Sequence, residues 1–143
     1  MYLTQGLHRS LQRHPGKVAL THLADTGARC LTFAQLHDAV ARQAALLSRL
    51  GVSCRDRVAI LAPNTDQLVQ AILACWWLGA AACPLNVRWS AAELAYALDD
   101  SEAALLLVDA SLAAAAPSGA TARMTLDDFA AQAVSVAPVP DKR

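Results

Sequence analysis

The fold of this chain is decided by residues 58–108, which read VAILAPNTDQLVQAILACWWLGAAACPLNVRWSAAELAYALDDSEAALLLV. Three apolar runs, at 58–62, 80–85 and 104–108, are continuous rather than alternating, which is typical of strands covered on both faces. The segments between them have the length and the capping signals of helices. This order of elements is strand, helix, strand, helix, strand, with short connections. It predicts an α/β fold on a parallel sheet with right-handed crossovers.

Both helices of this stretch begin at a capping signal. Asn64 and Gln67 have the spacing of a capping box before the first helix, and Ser90 and Glu93 have it before the second. Gly79 fits the C-terminal end of the first helix. We expect its buried face to carry the residues Leu68, Ile72, Cys75 and Leu78.

The apolar stretch 68–85 approaches the length of a membrane span. Gly79 interrupts it, so we expect a buried helix followed by a buried strand and no transmembrane span. The adjacent Trp76 and Trp77 point in different directions, so at least one should pack outside the buried face. Paired tryptophans are compatible with packing on neighbouring elements or with a stacking site for a ligand ring.

The upstream sequence predicts a helix and a hairpin. Residues 1–15 are typical of an amphipathic helix, and 17–23 and 29–33 predict two strands joined by a tight turn. Thr32 and Gln35 then form a further capping box at the start of a helix.

Beyond residue 109 the pattern weakens. Residues 113–116 are compatible with a helix, and 125–133 predict a short one. Two prolines after residue 134 predict an extended segment. We therefore expect one domain over residues 1–133 and a linker or tail over 134–143.

The composition excludes several classes of protein. A chain of 143 residues suits one domain, and 55% hydrophobic against 17% charged residues is too apolar for an intrinsically disordered chain. Twelve basic residues balance twelve acidic ones. Because zero net charge creates no cationic field, we expect no nucleic-acid partner.

The cysteines and histidines indicate neither disulfides nor a metal site. The four cysteines show no CxxC spacing, and two of them lie in apolar runs, so we expect reduced thiols in a cytoplasmic protein. The four histidines form no HExxH pair. We expect solvated histidines and no metal ligands.

Motifs of several enzyme classes are missing. The strand-to-helix joints contain no glycine, which disfavours a dinucleotide-binding fold, because only glycine lets the backbone approach phosphates closely. No GxSxG elbow is present, which disfavours a serine hydrolase. The residues therefore predict no catalytic group.

One joint carries candidate binding residues: Asn86, Arg88 and Trp89 lie between a buried strand and a capped helix. Ligands of open parallel sheets bind beyond the carboxyl ends of the strands. Arg88 offers a positive charge and Trp89 a stacking face, which suits a phosphate or the edge of a nucleotide. The alternative is a surface arginine beside a tryptophan packed on the sheet edge.

An ordered series of short motifs carries a resemblance to a known family. The motifs are LTFAQL (31–36), GV (51–52), DRVAI (56–60), PN (63–64), LGA (78–80), PLN (84–86) and ELAYAL (93–98). In this order and spacing they closely resemble the N-terminal part of AMP-forming acyl-CoA synthetases, of the long-chain fatty acid–CoA ligase type, over residues 1–133. The resemblance implies an N-terminal hairpin and helices followed by a parallel βαβαβ sheet, an incomplete part of the large domain of an adenylate-forming enzyme.

The resemblance also implies a two-step reaction in the parent enzyme. ATP, with Mg²⁺, and a small carboxylic acid, expected to be a fatty acid, give an acyl-adenylate, and the thiol of coenzyme A then displaces AMP. The family's phosphate loop, acyl pocket and catalytic lysine are expected beyond Arg143, so no catalytic or metal-binding residue is assigned here. We expect an N-terminal fragment that is inactive alone, binds none of these cofactors tightly and has the remainder of the parent enzyme as its partner.

Two further expectations concern binding. In some family members the loop matching residues 86–89 lies near the nucleotide end of coenzyme A, so the resemblance implies that Asn86, Arg88 and Trp89 are close to that cofactor. A fragment also exposes apolar surface that the remainder would cover, so we expect self-association. The alternatives are a stand-alone interaction or regulatory module that retains the fold, and a small α/β nucleotide binder.

Overall fold

Two sheets and five α-helices organise the computed structural model, which describes residues 3–119 and 121–141. The first half contains helix α1 (Gln5–Arg13), strands β1 (Val18–Ala24) and β2 (Gly27–Thr32), and helix α2 (Phe33–Arg49). The second half contains β3 (Arg57–Leu61), α3 (Asp66–Leu78), β4 (Ala81–Pro84), α4 (Ala91–Ser101), β5 (Leu105–Val108), a 3-10 helix (Ala110–Leu112), β6 (Ala122–Thr125) and α5 (Leu126–Val134).

The larger sheet is parallel throughout. Its strand order is β4-β3-β5-β6, and Ile60 of the inner strand β3 pairs with Pro84 on one side and Leu107 on the other. β1 and β2 form a separate antiparallel hairpin. The predicted α/β class, with a hairpin and helices before a parallel βαβαβ sheet, is confirmed. All four carboxyl ends of the parallel strands meet at one edge, which is where ligand loops are expected.

Helices cover both faces of the parallel sheet. Alternate residues of a strand point to opposite faces, so Val58 and Ile60 of β3 face a core shared with α1, α2, α3 and α5. Ala59 and Leu61 face a smaller core with Leu94 of α4. Because both faces are covered, β3 and β5 are continuous apolar runs in the sequence. The expectation of a buried strand over 80–85 was wrong, since β4 lies at an edge of the sheet with Ala81 and Pro84 exposed.

Strand β6 was missed by the sequence reasoning. It is a four-residue edge strand with Ala122 and Arg123 exposed, so it lacks the continuous apolar run of a buried strand. The expectation of a helix over 113–116 was wrong. Asp109 caps a 3-10 turn through its hydrogen bond from the Ser111 amide (2.9 Å), and Pro117 opposes a helical conformation in the residue before it.

Helix α3 starts one residue later than expected and buries a wider face than expected, which includes the predicted Cys75 and Leu78. Its N-cap is Thr65, whose hydroxyl accepts from the Leu68 amide at 3.2 Å. The buried residues of the helix are Asp66, Gln70, Ala71, Ala74, Cys75, Trp77 and Leu78, whereas Leu68 and Ile72 are half-buried. Helix α3 packs against α2 as well as against the sheet. The small side chains of Ala71 and Ala74 allow the two helices to pack closely.

Other local predictions are confirmed. Thr32 and Ser90 form complete capping boxes at α2 and α4. Gly79 ends α3 with φ +76°, a left-handed conformation that favours glycine. A Cβ at Gly79 would also come within 2.9 Å of the Cys54 Sγ.

The segment after α5 packs on the helices. Val136 is buried, and the Val139 carbonyl accepts a hydrogen bond of 2.9 Å from the Trp77 indole. Asp141 Oδ2 accepts a hydrogen bond from the Thr4 hydroxyl and lies 2.7 Å from His8 Nε2. This tail is non-helical as expected but lies on α2 and α3; the domain limit at residue 133 stays a prediction.

The apolar stretch 68–85 divides at Gly79 into α3 and β4. Within the described part of the chain, no helix combines the length and the apolarity needed to cross a membrane. All four cysteines are free thiols: Cys30 and Cys54 are exposed, Cys83 is half-buried and Cys75 is buried. Burial raises the pKa of the Cys75 thiol to about 12, so this thiol stays protonated at neutral pH.

Candidate functional site

The three predicted binding residues lie in one tight turn after β4. The Leu85 amide donates to the Ile60 carbonyl (2.8 Å), which extends the parallel pairing to the edge of the sheet. The Asn86 side-chain oxygen then accepts from the Arg88 amide at 2.9 Å, and the Asn86 carbonyl accepts from the Trp89 amide at 3.1 Å. Asn86 therefore holds the turn that presents Arg88 and Trp89.

Arg88 and Trp89 present a cation and a ring to solvent. Among residues 3–119 and 121–141, no hydrogen bond or ion pair engages the Arg88 guanidinium. Trp89 keeps 40% of its surface exposed, and neighbouring Val87 keeps 41%. The turn thus has a free positive charge beside an accessible aromatic face, an arrangement that suits an anionic ligand with a planar group.

The N-terminus of α4 beside this turn already holds a carboxylate. Glu93 Oε2 accepts from the Ser90 amide (2.7 Å) and from the Ser90 hydroxyl (2.8 Å). These hydrogen bonds lower the pKa of Glu93 below its usual 4.5. Because a negative group occupies the helix end, an incoming phosphate would meet Arg88 rather than the first amides of α4.

In the other loops at this edge, a polar side chain of the loop caps the helix or turn that follows. Thr65 caps α3, Asp109 accepts from Ser111, and Thr125 caps α5 by accepting from the Asp128 amide at 3.1 Å. In the described residues, no group of three or more His, Cys, Asp or Glu side chains is placed to hold a metal ion.

A buried polar cluster around Asp66 was missed by the sequence reasoning. His22 Nδ1 lies 2.9 Å from Asp66 Oδ1, Arg29 forms an ion pair with the same oxygen, and Gln70 donates to Asp66 Oδ2 at 3.4 Å. Burial by itself raises the pKa of Asp66, but the hydrogen bonds and charges of Arg29 and His22 outweigh it, and the pKa lies below 3.8. Asp66 thus joins the hairpin to α3 as a carboxylate.

A second cluster corrects the expectation of solvated histidines. The imidazole centroids of His8 and His37 each lie 4.9 Å from the ring centroid of Trp77. His8 Nε2 is 2.7 Å from the Asp141 carboxylate, with 15% of the His8 side chain exposed. Both histidines therefore pack between α1, α2, α3 and the tail. The sequence carries no spacing signal for this cluster because its members lie far apart along the chain.

The fold and the exposed turn place the chain among open parallel α/β domains whose ligand loops lie at the carboxyl edge of the sheet. A comparison with family models goes further, since residues 7–141 match the model described as AMP-binding enzyme. The chain belongs to the AMP-binding enzyme family.

Individual relatives agree with this assignment. The 2-succinylbenzoate–CoA ligase of Geobacillus kaustophilus (strain HTA426) is 41% identical over 87 residues, 61% of this chain and 18% of that protein. The feruloyl-CoA synthase of Amycolatopsis sp is 39% identical over 99 residues, 69% of this chain and 19% of that protein. The chain thus spans about a fifth of the length of these curated relatives.

A solved structure extends the likeness to the fold. The O-succinylbenzoate coenzyme A synthetase from Bacillus subtilis, in complex with AMP, superposes with a TM-score of 0.83 at 29% identity. The superposition covers 95% of this chain and 34% of that chain. The resemblance to adenylate-forming acyl-CoA ligases is confirmed, and the relatives are named for several different acids.

Proposed function

We propose that this domain serves an ATP-dependent carboxylic acid:CoA ligase that works through an acyl-adenylate. The observation that carries the proposal is the family match over residues 7–141, together with relatives that are CoA ligases. In that enzyme the chain forms the N-terminal part of the large domain, and its partner is the remainder of the ligase. Within this class we propose a fatty acid as the substrate, whereas the two curated relatives are named for 2-succinylbenzoate and for a feruloyl group.

The role proposed for this chain is scaffolding and binding rather than bond making. Activation of a carboxylate replaces hydroxide by AMP as the leaving group, with Mg²⁺ offsetting phosphate charge. The sequence contains no Thr/Ser/Gly-rich loop with a lysine to hold those phosphates. We therefore propose that the 143-residue chain alone neither adenylates an acid nor forms a thioester, and that it works in the cytoplasm without a nucleic-acid partner.

We further propose that the turn after β4 lies at the nucleotide end of coenzyme A. Arg88 would pair with a phosphate, Trp89 would stack on the base, and Asn86 would hold the turn. The support is a guanidinium with no partner in the described part of the chain, followed in sequence by an indole that is 40% exposed.

Arg88→Ala in the ligase that contains this domain should raise the KM for coenzyme A roughly 5- to 15-fold, because a charge-assisted hydrogen bond is lost. We expect the KM for ATP and the kcat to change little, and Arg88→Lys to recover part of the loss. The matched control is Arg49→Ala, an exposed arginine in the last turn of α2. An unchanged KM for coenzyme A would remove Arg88 from the site.

The class of the parent protein is tested by the codons that follow Arg143. The proposal expects an open frame encoding a Thr/Ser/Gly-rich loop and its lysine. A genuine stop codon at that point would instead support a stand-alone interaction or regulatory module. Release of pyrophosphate by the 143-residue chain itself, measured with ATP, Mg²⁺ and a panel of carboxylic acids, would contradict the proposed inactivity.

We also propose that the isolated chain self-associates. Large apolar side chains are exposed on it, including Leu23 (78%), Tyr96 (71%) and Val134 (74%). Exposed apolar surface favours contacts between copies. Sedimentation velocity over a concentration series should show a rising weight-average mass, and a constant monomer at high concentration would contradict the proposal.

A further inference from the structure

The turn after β4 offers a ligand a single positive charge. The Arg88 guanidinium is exposed and has no hydrogen bond or ion pair within residues 3–119 and 121–141. It is the only lysine or arginine side chain in the sequence between Arg57 and Arg123. Arg57 begins β3 and so lies at the opposite, amino edge of the sheet, where it pairs with Glu102. A ligand at the turn therefore meets one cation from the segment 58–122.

The N-terminus of α4 is the other positive feature beside the turn, and Glu93 occupies it. Ser90, which follows Trp89 directly, donates to Glu93 Oε2 from its amide (2.7 Å) and from its hydroxyl (2.8 Å). The carboxylate thus lies next to the turn, within the Debye length of about 8 Å at physiological salt. A phosphate that approached the first amides of α4 would meet a fixed negative charge.

Capping of the helix does not by itself require this charge. At the start of α2 the same chain forms a complete capping box from Thr32 and the neutral Gln35, whose side-chain oxygen accepts from the Thr32 amide at 2.9 Å. Both glutamine and glutamate serve in this motif. Glu93→Gln would therefore keep the cap of α4 and remove only the charge, so the two properties of Glu93 can be separated.

The nucleotide end of coenzyme A carries two kinds of phosphate, a 3′-phosphate monoester and a 5′-diphosphate. A monoester can be held by one guanidinium in a bidentate pair. A diphosphate spreads its charge over two adjoining groups, and the second group would need a positive partner beside Arg88. The end of α4 could supply that partner, but Glu93 already occupies it. The turn therefore fits the monoester better than the diphosphate.

We propose that Glu93 is a specificity-determining residue, which keeps a second phosphate from the end of α4 so that the turn binds the 3′-phosphate of coenzyme A through Arg88. This inference rests on the coenzyme A contact proposed above. It adds which phosphate is bound and what selects it.

The test compares coenzyme A with dephospho-coenzyme A, which lacks only the 3′-phosphate, in steady-state kinetics of the ligase that contains this domain. We expect the wild type to prefer coenzyme A about tenfold in kcat/KM, as for one charge-assisted hydrogen bond. Arg88→Ala should reduce this preference to about one, because the partner of the 3′-phosphate is gone. Glu93→Gln should reduce it about threefold, because the diphosphate of dephospho-coenzyme A can then approach the end of α4.

Asp128→Asn is the matched control. Asp128 has the same position in α5, three residues after the N-cap Thr125, as Glu93 has in α4. Strands β4 and β6 form opposite edges of the sheet, three strand spacings or about 14 Å apart, which exceeds the Debye length. We expect Asp128→Asn to keep the wild-type preference for coenzyme A.

The outcomes separate this inference from the contact on which it rests. An unchanged KM for coenzyme A in Arg88→Ala would overturn the contact itself. If Arg88→Ala raises the KM for both cofactors equally, or if the wild type shows no preference, the contact with the 3′-phosphate is wrong. If Glu93→Gln keeps the wild-type preference, or if Asp128→Asn lowers it as much as Glu93→Gln, the role of Glu93 is wrong.

Discussion

Trp77→Ala is expected to lower the free energy of unfolding by about 3–5 kcal/mol, the range for removing a buried tryptophan. Trp77 is 2% exposed, and its indole N–H donates to the Val139 carbonyl at 2.9 Å. Its ring also contacts His8 and His37. The substitution therefore opens a cavity between α1, α2 and α3 and detaches the tail at once. Urea unfolding followed by circular dichroism measures the loss.

The adjacent tryptophan provides a matched control. Trp76 is 36% exposed and lies outside the buried face of α3, so Trp76→Ala should cost about 1 kcal/mol or less. Trp77→Phe keeps most of the ring and removes the hydrogen bond to the tail, for which we expect a loss of about 1–2 kcal/mol. Equal losses from Trp76→Ala and Trp77→Ala would contradict the packing described for α3.

Asp66→Asn should lower the free energy of unfolding by about 2–3 kcal/mol at pH 7, because it removes the charge that Arg29 and His22 approach and leaves polar groups poorly paired. The pKa of Asp66 is lower in the folded protein than its usual 3.8. Its contribution is therefore fully present above about pH 5 and is lost as the pH falls through 3.8 and below. The wild type should lose this stability in acid, and the variant should not.

Asp38→Asn is the control for this experiment. Asp38 pairs with Arg42 one helical turn away, and 54% of its side chain is exposed. Such a surface pair contributes about 0.5 kcal/mol or less. Unfolding free energies measured from pH 3 to pH 7 should diverge between wild type and Asp66→Asn and stay nearly parallel between wild type and Asp38→Asn. Parallel curves for Asp66→Asn would contradict an ionised, paired Asp66.

The sequence predicted those parts of the fold that depend on near neighbours. The capping boxes at Thr32 and Ser90 and the stop at Gly79 are signals within one helical turn, and all three were located correctly. The Asp66 cluster could not be found in this way, because His22 is 44 positions away from it. β6 was missed for a different reason, since an exposed edge strand needs no continuous apolar run.

The candidate site was likewise predicted in part from the sequence. Asn86, Arg88 and Trp89 could be singled out because the carboxyl ends of parallel strands meet at one edge. Glu93 was also identified, but only as a capping residue. Its carboxylate occupies the helix end that the sequence reasoning offered to a ligand phosphate, which the predicted capping box already implied and the contacts with Ser90 confirm.

The contacts of Asp141 with Thr4 and His8 bring the two ends of the described chain side by side. A short peptide across this junction would let the chain be circularly permuted, with new ends opened in the exposed turn at Asp25 and Thr26. In such a permutant β1 and β2 would pair as a first and a last strand instead of as a hairpin. We expect such a permutant to fold, because the contacts that hold the domain together depend on how its elements lie in space and not on their order along the chain.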